Sequence, residues 1–222
     1  MAVPGGAQGG ASFECSLTGT VLTGQFRQLY DRLLGLCEHD AHSKMFEHEL
    51  LFSPADAATA TGASSGARTT GGGDVKQAIT HFHHDSKTVV SRQYQLCQYG
   101  HPEPGRNLVV RSAILVKIHG DAFGFMTLLG YGFEDEFVKR GYNFMYNNIC
   151  RISVFRKYKL SKHHDAFSAI VPEEETAGGA TAEVASPWLV EITSSFVSQE
   201  NVNSMSDEIN LVRNLLAGSV AF

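Results

Sequence analysis

The sequence predicts a mainly β fold, a closed antiparallel β-barrel of about ten or more strands with two to three flanking helices. Two observations carry that expectation. Apolar and polar residues alternate with a period of two along many short segments, as in strands with one buried face. Tight reversals such as Asn147-Asn148 separate several of these segments, and reversals that short join antiparallel neighbours.

Taken in order, residues 1–11 are rich in Gly and Ala and are expected to be disordered. Phe13, Cys15, Leu17, Gly19 and Val21 then alternate with Glu14, Ser16, Thr18 and Thr20, which predicts a half-buried strand. Leu22, Phe26, Leu29, Leu33 and Leu36 recur at spacings of four and three, the pattern of one helical face, with Thr23 as its expected N-cap. A strand is expected over 44–52. Residues 53–74 hold eighteen Gly, Ala, Ser or Thr in twenty-two positions, too little apolar surface to offset ordering entropy, so a disordered surface loop is expected. Strands follow at 75–82, 89–99 and 107–118, and Asp121 is placed to cap a short helix that Gly130 ends.

The next stretch reads as a meander: 133–139, a reversal at Arg140-Gly141, 142–146, a reversal at Asn147-Asn148, then 149–159. In its last strand Cys150, Ile152, Val154 and Tyr158 face one way, and Arg151, Ser153 and Lys157 the other. Phe155, Phe133 and Phe137 fall on the polar side, so a second face is covered, by the barrel's own interior or by a partner. A second low-complexity insert, acidic and rich in Ala and Gly, occupies 172–186. Trp188, Val190, Ile192 and Phe196 share a face of a final strand. A last helix is expected from near Ser204, with Asp207 as a capping-box partner; it buries Met205, Ile209, Val212 and Leu216 and ends at Gly218. The expected organisation is one domain over 12–222 carrying the two inserts.

Composition narrows the function. Hydrophobic residues make up 43% and charged residues 18%, a globular mixture. No apolar run approaches the roughly 20 residues that span a bilayer, and residues 1–11 lack the basic start and apolar stretch of a secretory signal. Cys15, Cys37, Cys97 and Cys150 are far apart without a metal or redox spacing, so free buried thiols in a reducing compartment are expected. The net charge of −5 is uneven: 131–164 hold seven Lys or Arg against three acids, while 165–222 hold nine acids against Arg213. That modest basic strand suits a protein contact better than nucleic acid.

Two patterns invite chemistry. Glu47-His48-Glu49 and Glu134-Asp135-Glu136 each place two carboxylates on one strand face, and Arg111, Lys117, Arg151 and Lys157 recur at strand positions. A barrel lined this way holds a divalent cation and a polyphosphate, the arrangement of a metal-dependent tunnel-type triphosphatase. The final strand offers only Glu191 and the first only Glu14, which weighs against it. His81, His83 and His84, and His163 and His164, sit beside polar residues at strand ends without a Cys or HExxH partner, so solvated histidines are expected, not a zinc site.

Residues 132–141, Gly-Phe-Glu-Asp-Glu-Phe-Val-Lys-Arg-Gly, with the basic aromatic strand after them, resemble the family of Mediator subunit 18. Leu29-Tyr30-Asp31-Arg32-Leu33-Leu34-Gly35-Leu36-Cys37, Phe46-Glu47-His48-Glu49 with Phe52, and Pro187-Trp188-Leu189-Val190-Glu191 are similar to other segments of that family, in its order. The resemblance implies a β-barrel, a nuclear location, no cofactor and no catalysis. It also implies a protein-interaction module of the Mediator head that links transcription factors to RNA polymerase II. Its implied partners are Mediator subunit 20, a helix of subunit 8 and other head subunits. The residues expected to meet partners are Leu29, Leu33, Phe133, Phe137, Phe144, Tyr146 and Phe155.

Overall fold

The alternating segments fold as strands. In the computed structural model, residues 12–38, 42–54, 77–82, 93–169 and 187–222 are described. The strands are β1 (Ser12–Val21), β2 (His42–Pro54), β3 (Gln77–Phe82), β4 (Gln93–Tyr99), β5 (Val109–His119), β6 (Tyr131–Tyr146), β7 (Cys150–Tyr158) and β8 (Trp188–Ser194). Each pairs antiparallel with its neighbours in the order β1-β5-β4-β3-β2-β6-β7-β8, and β8 returns to β1 to close a barrel. The barrel has eight described strands, not ten or more. The main reason is β6: Arg140-Gly141 makes no reversal, and 133–146 run as one strand paired to both β2 and β7. Gly141 is required for another reason. A Cβ there would collide with the Val154 carbonyl and lie 2.6 Å from Phe155 Cα, so glycine permits close approach, not a turn. The Asn147-Asn148 reversal is present, both residues with positive φ (49° and 55°) as a primed hairpin turn requires.

Three α-helices pack outside the barrel: α1 (Phe26–Leu36), α2 (Ala122–Leu128) and α3 (Val202–Leu215). The period-two pattern explains their places. Cys15, Cys150, Ile152, Val154, Val190 and Ile192 point outward from the wall and meet Leu29 and Leu33 of α1 and Ile209 and Val212 of α3 in the main core. Phe26 stacks on Trp188 at 4.0 Å between ring centroids. Leu50, Phe52, Tyr94, Leu96 and Ile118 form a second core with Ala122 and Met126 of α2. The apolar cores thus lie between wall and helices, and seven of the strands turn charged or polar residues inward.

Local expectations fared unevenly. Asp121 does cap α2, accepting the Gly124 N–H at 3.0 Å, and Gly130 and Gly218 take positive φ after their helices. Thr23 is not the N-cap of α1, a place Gln25 takes: it begins a 3-10 turn (Thr23–Gln25), and its hydroxyl accepts from Arg156. The last helix begins at Val202 rather than Ser204, led in by a 3-10 turn over Gln199–Asn201, so Ser204 and Asp207 lie inside it. Phe196 lies beyond β8. A register shift between Leu51 and Phe52 pairs Phe52 with Phe133, which moves Phe133 to the outer face away from Phe137. The expectations for 1–11, for nearly all of 53–74, for 172–186 and for His83 and His84 lie outside the described residues.

Candidate functional site

Inward-facing residues of seven strands line a cavity of about 350 Å³ within the barrel. β1 contributes Glu14, β2 Glu47 and Glu49, β4 Tyr99, β5 Arg111, β6 Lys139, β7 Arg151 and β8 Glu191. Two closed sets occupy part of it. Glu14 accepts from Arg111 Nη2 at 3.2 Å and from the Tyr99 hydroxyl at 3.3 Å, with the Arg111 guanidinium 3.5 Å above the Tyr99 ring. Lys139 Nζ pairs with Glu49 Oε2 at 2.6 Å.

Burial shapes these charges. It pushes Glu14 and Glu47 above the ordinary carboxylate value, against the lowering influence of Arg111 on the first and of Arg151 and Lys139 on the second. Burial works against the Lys139 ammonium, but Glu49, Glu191 and Glu47 outweigh it and hold Lys139 above its usual value. The ammonium, paired with Glu49, therefore serves the acidic group as an internal counter-ion. Among the described residues no three His, Cys, Asp or Glu side chains are arranged to hold a metal ion.

A second polar cluster sits on the outer wall. Glu136 is buried beneath the segment after β7, where His163 Nδ1 and His48 Nε2 each lie 2.9 Å from its carboxylate oxygens and His164 Nδ1 lies 3.3 Å away. The His164 backbone N–H donates to the same carboxylate at 3.0 Å. Burial raises its pKa, but the bonds from His164, His163 and His48 more than reverse that and hold Glu136 below the ordinary value. His163 and His164 are solvent-exposed, as expected, and each also bonds the buried carboxylate.

The structure divides the sequence candidates. Glu47 and Glu49 enter the lumen with Arg111 and Arg151, while Glu134 and Lys117 are exposed and Glu136 faces outward. Lys139, central to the lumen, had no signal beyond its alternation with Val138. Of the expected partner residues, Leu29, Leu33 and Phe144 are buried under or within the helix-covered core, and Phe155 is buried opposite Lys139. Those four hold the fold and offer no surface. Phe137 and Tyr146 are half-buried, and Phe133 alone is exposed, at 39%.

The sequence profile of the Med18 protein family matches residues 13–220. The chain belongs to the Med18 family. No curated protein matches it. Among solved structures it is similar to a chain of the Schizosaccharomyces pombe Mediator head module, with TM-score 0.68 and 15% identity, covering 92% of this chain and 94% of that one. It is also similar to the PH1819 protein of Pyrococcus horikoshii OT3, with TM-score 0.54 and 14% identity over 93% and 92% of the two chains. The triphosphatase of the Mimivirus capping enzyme follows, with TM-score 0.50 and 10% identity over 96% and 91%. At such identities these likenesses establish the fold. The Med18 family match, covering almost every described element, agrees with the resemblance read from the sequence and makes the chain a Mediator subunit of RNA polymerase II transcription.

Proposed function

We propose that this Med18-family chain is a non-catalytic, nuclear interaction module of the Mediator head, holding Mediator subunit 20 and a helix of subunit 8. In this reading the assembly communicates with transcription factors and RNA polymerase II. The observation that carries it is the family match across 13–220, joined to the fold shared with a Mediator head chain.

Two physical features support it. Glu49, one of the glutamates that a tunnel-type triphosphatase would give to a metal, is here paired with Lys139. The outer wall, by contrast, is incompletely wrapped. On β5, Val110 lies in the core beneath α3 and Ile118 in that beneath α2, while Ile114 and Val116 between them are 60% and 42% exposed. Leu128 on α2 is 89% exposed. Exposed apolar side chains on both wall and helix suit desolvation by a partner.

The test is co-purification. Wild-type chain is expected to bring down the other head subunits, and Ile114→Asp combined with Leu128→Asp to reduce that recovery at least tenfold with unchanged circular dichroism. Recovery unchanged by both substitutions would move the interface elsewhere. Phosphate release from a nucleoside triphosphate with Mn²⁺, abolished by Glu49→Ala, would overturn the non-catalytic reading.

A further inference from the structure

The lumen pairs Glu14 with Arg111 and Glu49 with Lys139, and leaves three charged groups over. Glu47 is only 6% exposed and lines the cavity, yet among the described residues no hydrogen bond or ion pair reaches its carboxylate. Arg151 faces the same space with its Nε buried and unbonded. Their charges influence one another, but no ion pair closes between them. Glu191 lines the same cavity and likewise makes no hydrogen bond or ion pair among the described residues. A buried carboxylate without a partner is costly, and a guanidinium facing it across a gap marks space for a bridging molecule. The cavity, about 350 Å³, lies within the roughly 300–1,000 Å³ typical of small-molecule sites.

We propose that the lumen binds a small amphoteric molecule, its cationic nitrogen held by Glu47 and Glu191 and its carboxylate or phosphate held by Arg151. Two carboxylates against one guanidinium select a cationic end and an anionic end together. A guanidinium or ammonium donates to both glutamates, and Arg151 offers a planar fork to the opposite end. Because Lys139 already pairs with Glu49 and adds positive charge near Glu47 and Glu191, a bare metal ion is disfavoured there and an organic cation, which can lie to one side, is accepted.

The site is independent of membership in Mediator. Isothermal titration calorimetry of the full chain with L-arginine, agmatine and acetate tests it. L-arginine is expected to bind saturably, and agmatine, which lacks the carboxylate, at least tenfold more weakly, with acetate showing no saturable heat. Arg151→Met should abolish the preference for L-arginine over agmatine, while Glu47→Gln weakens both at least tenfold with the fold unchanged by circular dichroism. No saturable binding of L-arginine, equal binding of L-arginine and agmatine, or a preference that survives Arg151→Met would each overturn the proposal. Neither variant alters the outer wall, so co-purification with head subunits reads out separately.

Discussion

Glu136 shows how one side chain can fasten a loop. The segment after β7 crosses the outer wall, and three imidazoles with one backbone N–H converge on this carboxylate. Its pKa is depressed, so its contribution is present above the ordinary value of 4.5 and is lost as pH falls through the lower native value. Glu136→Gln should cost about 1.5–3 kcal/mol at pH 7, the size of a lost hydrogen bond to a charged group. That deficit should vanish when melting is measured well below pH 4.5, where the native carboxyl is itself protonated. None of this cluster was legible from spacing. His48 and Glu136 sit on different strands, and only the β2–β6 register brings them together. Burial of the four cysteines was expected because none has a metal or redox spacing, and all four are free and buried. Burial raises the Cys37 and Cys150 thiols to about 11, which keeps them protonated and unreactive.

At the scale of elements, the body of α1 was readable because Leu29 and Leu33 recur on a single face and that face is what the wall buries, but its start was not: Leu22 lies before the helix and is exposed. Strand β6 was not. Arg-Gly is compatible with a turn and with a strand that must come close to its neighbour, and local sequence does not distinguish them. The partner decides: Gly141 lies against Phe155 across the β6–β7 ladder. Gly141→Ala should therefore destabilise the protein by about 1–3 kcal/mol through overpacking, measured by urea denaturation. A true turn glycine at positive φ would respond to Asn substitution with little loss; here Asn should be worse than Ala.

For the whole molecule, alternation alone reveals which face of a strand is polar but not whether that face meets bulk water or a lumen. Glu14 illustrates the ambiguity: it reads as the wet side of a half-buried strand, yet it is buried inside the barrel. The inward faces of seven strands enclose their own charges, and Lys139 balances much of the acidity. Lys139→Met should cost about 3–5 kcal/mol at pH 7, the usual penalty for removing one member of a buried pair. The abandoned glutamates would then bind protons more readily in the native state than when unfolded, so the variant should regain stability relative to wild type as pH is lowered from 7 towards 5. Thermal melting across that interval checks the sign.

The seam that joins β1 to β8 pairs Ser16–Val21 with 188–193, linking segments more than 160 residues apart. During synthesis, β1 leaves the ribosome long before its second neighbour exists. Contacts so distant in sequence make folding slow, and until β8 arrives the first strand presents an open edge that other chains can pair with. The nascent polypeptide therefore needs shielding throughout most of its translation, and its readiness for assembly is set by the emergence of a single late strand.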